Sequence, residues 1–212
     1  MTAAPADVSE IACQLAAGLA SRLTAELAPG LGQQPREVSR PAFVGLDGWS
    51  GSGKTTLAEA LAGELGAAVV HLDDLVAGWG DLAGSVSRLV EVVLPALAAG
   101  RSARWRRWDW AAGASGPQQC QVPAPLVLVE GCGAGSAPVR PWLSALVWLE
   151  VAPALRAARL RGRPDWVAYR RWFDVWTAQE DVLRAGDDPR PLADVLVVDD
   201  GSACRVCWPA GA

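Results

Sequence analysis

The chain has 212 residues, a formal net charge of −4 and 51% apolar residues. That is enough for one domain with a large core, or one domain and a small appendage. The acidic balance gives no general pull toward nucleic acid or an anionic membrane, and no run of about 18 apolar residues is present to span a bilayer. Residues 1–20 lack a basic leader, so a soluble, cytoplasmic protein is expected.

The first element expected is an amphipathic helix over residues 6–28, with Val8, Ile11, Leu15, Leu19, Leu23 and Leu27 spaced by three or four. Pro29-Gly30 and Gly32 end it, and a linker runs to about residue 35. The apolar run 42–46 then closes on Asp47-Gly48. It is the strand expected before Gly48-Trp49-Ser50-Gly51-Ser52-Gly53-Lys54-Thr55, which fits the phosphate-loop pattern G-x-x-x-x-G-K-[ST] at every defined position. Lys54 is the chain's only lysine among 19 basic residues, so a single ammonium has been kept where arginine serves everywhere else.

The chemistry of such a loop is specific. Glycines 48, 51 and 53 let the backbone approach a ligand without a Cβ, and successive N–H groups of residues 50–56 form an anion cradle at a helix start. Lys54 reaches the terminal phosphates of a nucleotide, Thr55 is placed for Mg²⁺, and Thr56 is a weaker candidate for an α-phosphate bond. Ser50 and Ser52 belong to the same cradle.

Further apolar runs at 68–72, 126–130, 145–149 and 194–198 are continuous rather than alternating, which indicates parallel strands buried on both faces. Helical patterns at 54–65, 85–99, 153–161 and 164–184 separate them, with a Gly162–Pro164 break between the last two. The alternation predicts a three-layer α/β fold with a five-stranded parallel sheet. Residues 101–125 resist this scheme and are expected to form a long excursion over the active face.

Carboxylates sit where strands end. Asp73 and Asp74 close the second strand, nineteen residues after Lys54, in the crevice where ligands bind in such sheets. Asp73 is a candidate base for an attacking hydroxyl, and Asp74 a substrate contact; either residue also suits a turn or helix cap. Glu130 ends the third strand, where it suits Mg²⁺, its water shell or substrate, against a purely structural hydrogen bond. Arg156, Arg159, Arg161 and Arg163 suit a lid over residues 156–165, with Arg159 and Arg163 the candidates for stabilising transferred charge; an exposed basic face is the competing view. Trp79, Trp108 and Asp109 are candidates for an acceptor wall, with core packing the rival reading for the tryptophans. His71 lies within the second strand, as a core or near-site residue.

Cysteines 13, 120, 132, 204 and 207 show no disulfide spacing, which suits a reducing compartment. A zinc site at Cys204-Arg205-Val206-Cys207 would need two further ligands, yet the chain has one histidine. Two cysteines near an edge strand are expected instead. No lysine remains for a guanine-selecting N-K-x-D, and the chain is short for an AAA-type motor.

The sequence resembles the uridine kinase-like P-loop kinases, related to pantothenate kinase and phosphoribulokinase. The resemblance rests on residues 45–56, on His71-Leu72-Asp73-Asp74, on Val129-Glu130-Gly131 and on the arginine-rich segment 156–165, in the family's order. It implies a core sheet of order 2-3-1-4-5, an arginine-bearing lid, and Asp73 as the base. It also implies ATP with Mg²⁺ and a small-molecule hydroxyl acceptor; nucleic acid is not expected, because the Arg/Trp segment 104–110 is short, the protein is acidic and no wider basic stripe accompanies it. A nucleotide-binding module or regulatory ATPase is the alternative. Leu75-Val76 replace the family's usual aromatic pair, so a nucleoside acceptor does not carry over directly. The oligomeric state is open, and a homodimer is compatible with the sequence.

Overall fold

Residues 8–27 and 41–209 are described by the computed structural model, the side chains of 24–27 excepted. Helix α1 spans Val8–Leu27; the linker expected after it, with Pro29, Gly30 and Gly32, lies outside the described residues. Strand β1 (Ala42–Gly48), helix α2 (Lys54–Leu65) and strand β2 (Ala68–His71) follow, and a 3₁₀ turn covers Leu72–Asp74. Glycines cap α2 at both ends, with φ of 93° at Gly53 and 62° at Gly66, conformations that L side chains rarely adopt.

The helix expected over 85–99 is instead three pieces: α3 (Leu82–Arg88), a π-helical turn (Leu89–Val93) and α4 (Leu94–Ala98). Pro95 carries no N–H for the ladder, and the turn before it widens. The excursion is a β-hairpin, β3 (Ala103–Asp109) with β4 (Ala114–Gln121), whose register slips between Arg106 and Trp108. Its largely polar strands lack the apolar runs that mark a central strand. Then come β5 (Leu126–Glu130), β6 (Ala145–Val151), α5 (Pro153–Arg161), α6 (Trp166–Tyr169), α7 (Phe173–Gly186), β7 (Val195–Asp199) and β8 (Cys204–Cys207). The helix expected over 164–184 is therefore broken at residues 170–172.

The central sheet runs β2-β5-β1-β6-β7-β8. Its first five strands are parallel and follow the 2-3-1-4-5 order of the apolar runs. The sixth, β8, is an antiparallel edge strand carrying Cys204 and Cys207, an addition to the five strands expected.

Alternate residues of each strand feed separate cores. Val44, Leu46, Leu128, Val147 and Leu149 face α1 and α2. Phe43, Val70, Val127 and Val129 face the α3–α4 segment. Dual burial is why the runs are unbroken, and each fully buried Val, Leu or Phe contributes about 1.5–3 kcal/mol. In α1, Gly18 lies under the Trp208 ring, so close that an added Cβ would come within 2.0 Å of it. That contact explains a glycine inside a helix.

Candidate active site

The loop between β1 and α2 sits at the carboxyl ends of β1, β5 and β2, where an open parallel sheet places its ligands. Gly48, Gly51 and Gly53 have φ of 151°, 79° and 93°. A Cβ on Gly51 would lie 2.7 Å from the Arg156 carbonyl, whereas one on Gly53 would meet nothing nearer than Arg159 Nη1 at 3.9 Å. Gly51 thus lets the loop pass under α5, and Gly53 faces open space. Gly51→Ala is expected to destabilise the protein by about 2 kcal/mol and to weaken binding of a non-hydrolysable ATP analogue. Thermal melting and a nucleotide titration check this; an unchanged melting temperature would refute the packing argument.

The buried Lys54 ammonium donates to the carbonyls of Gly48 (2.9 Å) and Trp49 (3.1 Å) and lies 3.4 Å from Cys132 Sγ. Burial alone would lower its pKa, but the surrounding carboxylates of Glu180, Glu130 and Asp47 more than offset this and hold the ammonium charged. Ser52 Oγ is buried without a partner, an orphan acceptor and donor inside the cradle. Ser50 differs: its N–H donates to Glu180 (2.8 Å) and its hydroxyl accepts from Trp176 Nε1 (3.1 Å), so α7 holds it. Thr55 and Thr56 are exposed at the helix start.

Thr55 Oγ1 donates to Glu130 Oε1 at 3.2 Å, and His71 Nδ1 lies 2.6 Å from the same oxygen. His71 and Glu130 are register partners on β2 and β5, which brings them together. The hydrogen bond to Glu130 raises the His71 pKa against the effect of burial. Among the described residues no group of three or more His, Cys, Asp and Glu is gathered for a metal. A hydroxyl beside one buried carboxylate nevertheless fits Mg²⁺, which uses one or two carboxylates together with phosphate oxygens. The open cradle at Gly53 and the orphan Ser52 hydroxyl fit a nucleotide's phosphates in the same way.

Asp73 stands at the end of β2 with its carboxyl pushed up to about 6. Crowding away from solvent comes first among the causes and the Glu130 charge second, while Lys54 and Arg163 oppose them. The side chain still meets water in the open cleft, which moderates the first cause. Asp74 turns away to pair with Arg107 at 2.7 Å, reached through the irregularity in β3.

The arginines divide. Arg156 donates to the Ser50 carbonyl and lies over the Trp49 ring, while Arg159 donates to the Ser52 carbonyl and pairs with Asp199. Arg163 pairs with Asp165 at 2.7 Å, lies over the Tyr169 ring and is electrostatically coupled to Asp73. Trp79 packs in an aromatic cluster with Trp110, Tyr169, Trp172 and Trp176. Trp108 borders that cluster, beside Val76 and Cys132. Asp109 is exposed, and its carboxylate accepts from the N–H groups of Ala111 and Ala112. Its hydrogen bonds cap the hairpin turn.

Four residues beneath the loop escaped the sequence reading. Asp47, fully buried, accepts from the backbone N–H groups of Gly48, Gly133 and Gly135 and pairs with Arg184 at 2.6 Å. Arg184 also stacks over Trp148. Glu180, buried beside them, accepts from Ser50 and from Cys132 Sγ at 2.8 Å. Burial holds the Cys132 thiol protonated by raising its pKa. The available signal was the placement of Glu180 and Arg184 four and eight residues after buried Trp176, on the inward stripe of α7.

A glycine-lined phosphate loop at the strand ends of a 2-3-1-4-5 parallel sheet defines a P-loop nucleotide-binding protein. The chain belongs to the AAA domain family, whose profile matches residues 44–168. Its fold is that of the uridine kinase-like P-loop kinases. It is similar to the structure of a possible uridine kinase from Bacillus stearothermophilus, at 20% identity and a TM-score of 0.57 over 84% of this chain and 98% of that one. It is also similar to D-glycerate 3-kinase from Cryptococcus neoformans var. grubii, at 13% identity and a TM-score of 0.58 over 94% and 99% of the two chains. At such identities the likeness is one of fold. No curated protein matches the chain in sequence. Among the described residues no helix is long and apolar enough to cross a membrane.

Proposed function

We propose that the protein is an ATP- and Mg²⁺-dependent kinase that phosphorylates a hydroxyl group of a small molecule. The observation that carries this reading is Asp73: a carboxylate with a raised pKa, in the crevice, electrostatically coupled to Lys54, Glu130 and Arg163. A module that only binds nucleotide has no use for such a base, whereas an ATPase would turn it on water, so the response to an added acceptor separates the two.

Lys54 and the loop amides bind the terminal phosphates, and Thr55 with Glu130 holds Mg²⁺, which supplies charge neutralisation on the phosphate oxygens. Asp73 orients the acceptor hydroxyl and takes its proton. The acceptor oxygen forms the new bond to the γ-phosphorus, the bond to the β-phosphate oxygen breaks, and ADP leaves. Arg163 and Arg159, on the segment 156–165 that borders the loop, stabilise charge on the transferring group. Because substrate distinguishes a kinase from an idle ATPase, ADP release is the measurement to make. Screened against nucleosides, sugars, hydroxy acids and pantothenate, the protein is expected to release ADP at least tenfold faster with some class of acceptor. Turnover indifferent to every acceptor would sink the reading.

A further inference from the structure

Five charged side chains are buried among the described residues: Asp47, Lys54, Glu130, Glu180 and Arg184. A buried charge needs a partner. Asp47 and Arg184 take each other through two hydrogen bonds, and Glu130 meets Thr55 and His71. Glu180 and Lys54 remain. Phosphoryl transfer uses the lysine and leaves the glutamate idle.

Glu180 forms no ion pair among the described residues. Its Oε1 accepts from the Ser50 N–H and the Cys132 thiol, both at 2.8 Å. Lys54 Nζ stands on the other side of that sulfur, 3.4 Å away. Ammonium and carboxylate are therefore within roughly 6 Å of each other, where opposite charges in a dry interior hold one another ionised. Against the effect of burial, Glu180 does more than Glu130 or Asp47 to keep Lys54 protonated. The two donors to Glu180 are neutral and share one oxygen, which the amide of a glutamine would supply equally well. What the charge adds is its effect on Lys54. Nucleotide phosphates need the same ammonium, and Glu180, only 2% exposed, sits behind it and out of the cleft.

We propose that Glu180 is a counter-charge to Lys54, which neutralises the phosphate loop while it is empty and weakens its hold on bound phosphates, so that ADP can leave. It acts through Lys54 and is a positioning residue rather than a catalytic one. A loop built only for tight binding would be served better by an amide at this place. The proposal rests on the kinase reading only in calling ADP the product.

The test is binding without any acceptor. Dissociation constants for ADP and for pyrophosphate, each with Mg²⁺, are measured by calorimetry, and ADP release by stopped-flow fluorescence. Glu180→Gln keeps the acceptor oxygen and deletes the charge. It is expected to bind both ligands fivefold or more tightly, with ADP leaving correspondingly more slowly. ADP should also raise its melting temperature by more than it raises that of the wild type. A glutamate that only braces the loop predicts the opposite sign, since loosening Ser50 weakens binding. Unchanged or weaker binding of both ligands by Glu180→Gln would therefore overturn the proposal. Tighter binding of ADP without tighter binding of pyrophosphate would overturn it too, because the effect would then lie outside the phosphate loop. Should the glutamine variant not fold, Glu180→Met deletes charge and acceptor together, with a smaller gain expected in the same direction. If neither folds in saturating ADP, Glu180 is a structural support alone and the counter-charge is overturned. None of these outcomes depends on finding an acceptor, so this test and the acceptor screen fail independently.

Discussion

Arg184→Met is expected to cost about 3–5 kcal/mol, a large share of the stability of a protein this size. Asp47 has no exposure and Arg184 almost none, so removing the guanidinium strands a carboxylate in the core. The methionine would fill most of the volume, which makes charge rather than packing the source of the loss. The melting temperature should fall by about 10 °C or more, and urea unfolding should show the same loss. Nucleotide affinity should fall too, because Asp47 also gathers the N–H groups of Gly48, Gly133 and Gly135, joining the loop to the segment after Glu130. Adding Asp47→Asn to Arg184→Met should recover part of the loss, since Asn keeps an acceptor oxygen without the charge. A loss below 1 kcal/mol for Arg184→Met would show that the pair does not hold the site together.

Asp73→Asn should do the opposite to stability while abolishing turnover. Acceptor phosphorylation is expected to fall by about 10³-fold, with ATP affinity changed by no more than about threefold. The folded carboxyl titrates near 6 against 3.8 for a free aspartate. A raised carboxyl pKa means that the neutral form is favoured by the fold. Stability tied to it is present below pH 3.8 and is lost as pH rises through 6. Above that the ionised side chain is a burden. Discounted for the water that reaches this cleft, the burden is about 1 kcal/mol, so the Asn variant should melt about 2–4 °C higher at pH 7.5 and no higher at pH 3.5. Wild-type kcat/KM should fall tenfold per unit below pH 6, in proportion to the ionised base. Turnover that survives the substitution would remove Asp73 from the chemistry.

Much of the fold was legible because burial on both faces writes itself into unbroken runs. Ala42–Leu46, Leu126–Glu130 and Ala145–Leu149 needed no partner to be recognised, and each lies within a strand. The hairpin was not legible. Its first strand sets half-buried Trp105 and Trp108 among exposed arginines, its second carries no large apolar residue, and the first packs on the 3₁₀ turn and the α3–α4 segment. Asp109 has a local partner as well: two residues later the chain turns, and its carboxylate accepts from the N–H groups of Ala111 and Ala112.

The sequence alone determined the phosphate loop, because glycine spacing and a lysine are local requirements of an anion cradle, and the order of strand-end carboxylates. Only the tertiary structure decided what supports and completes them. Asp47 and Arg184 are separated by 137 residues, Ser50 and Glu180 by 130, and Thr55 and Glu130 by 75. A pair at such separation leaves no periodicity in the chain. It exists only where packing removes water, so that one carboxylate must find a particular partner.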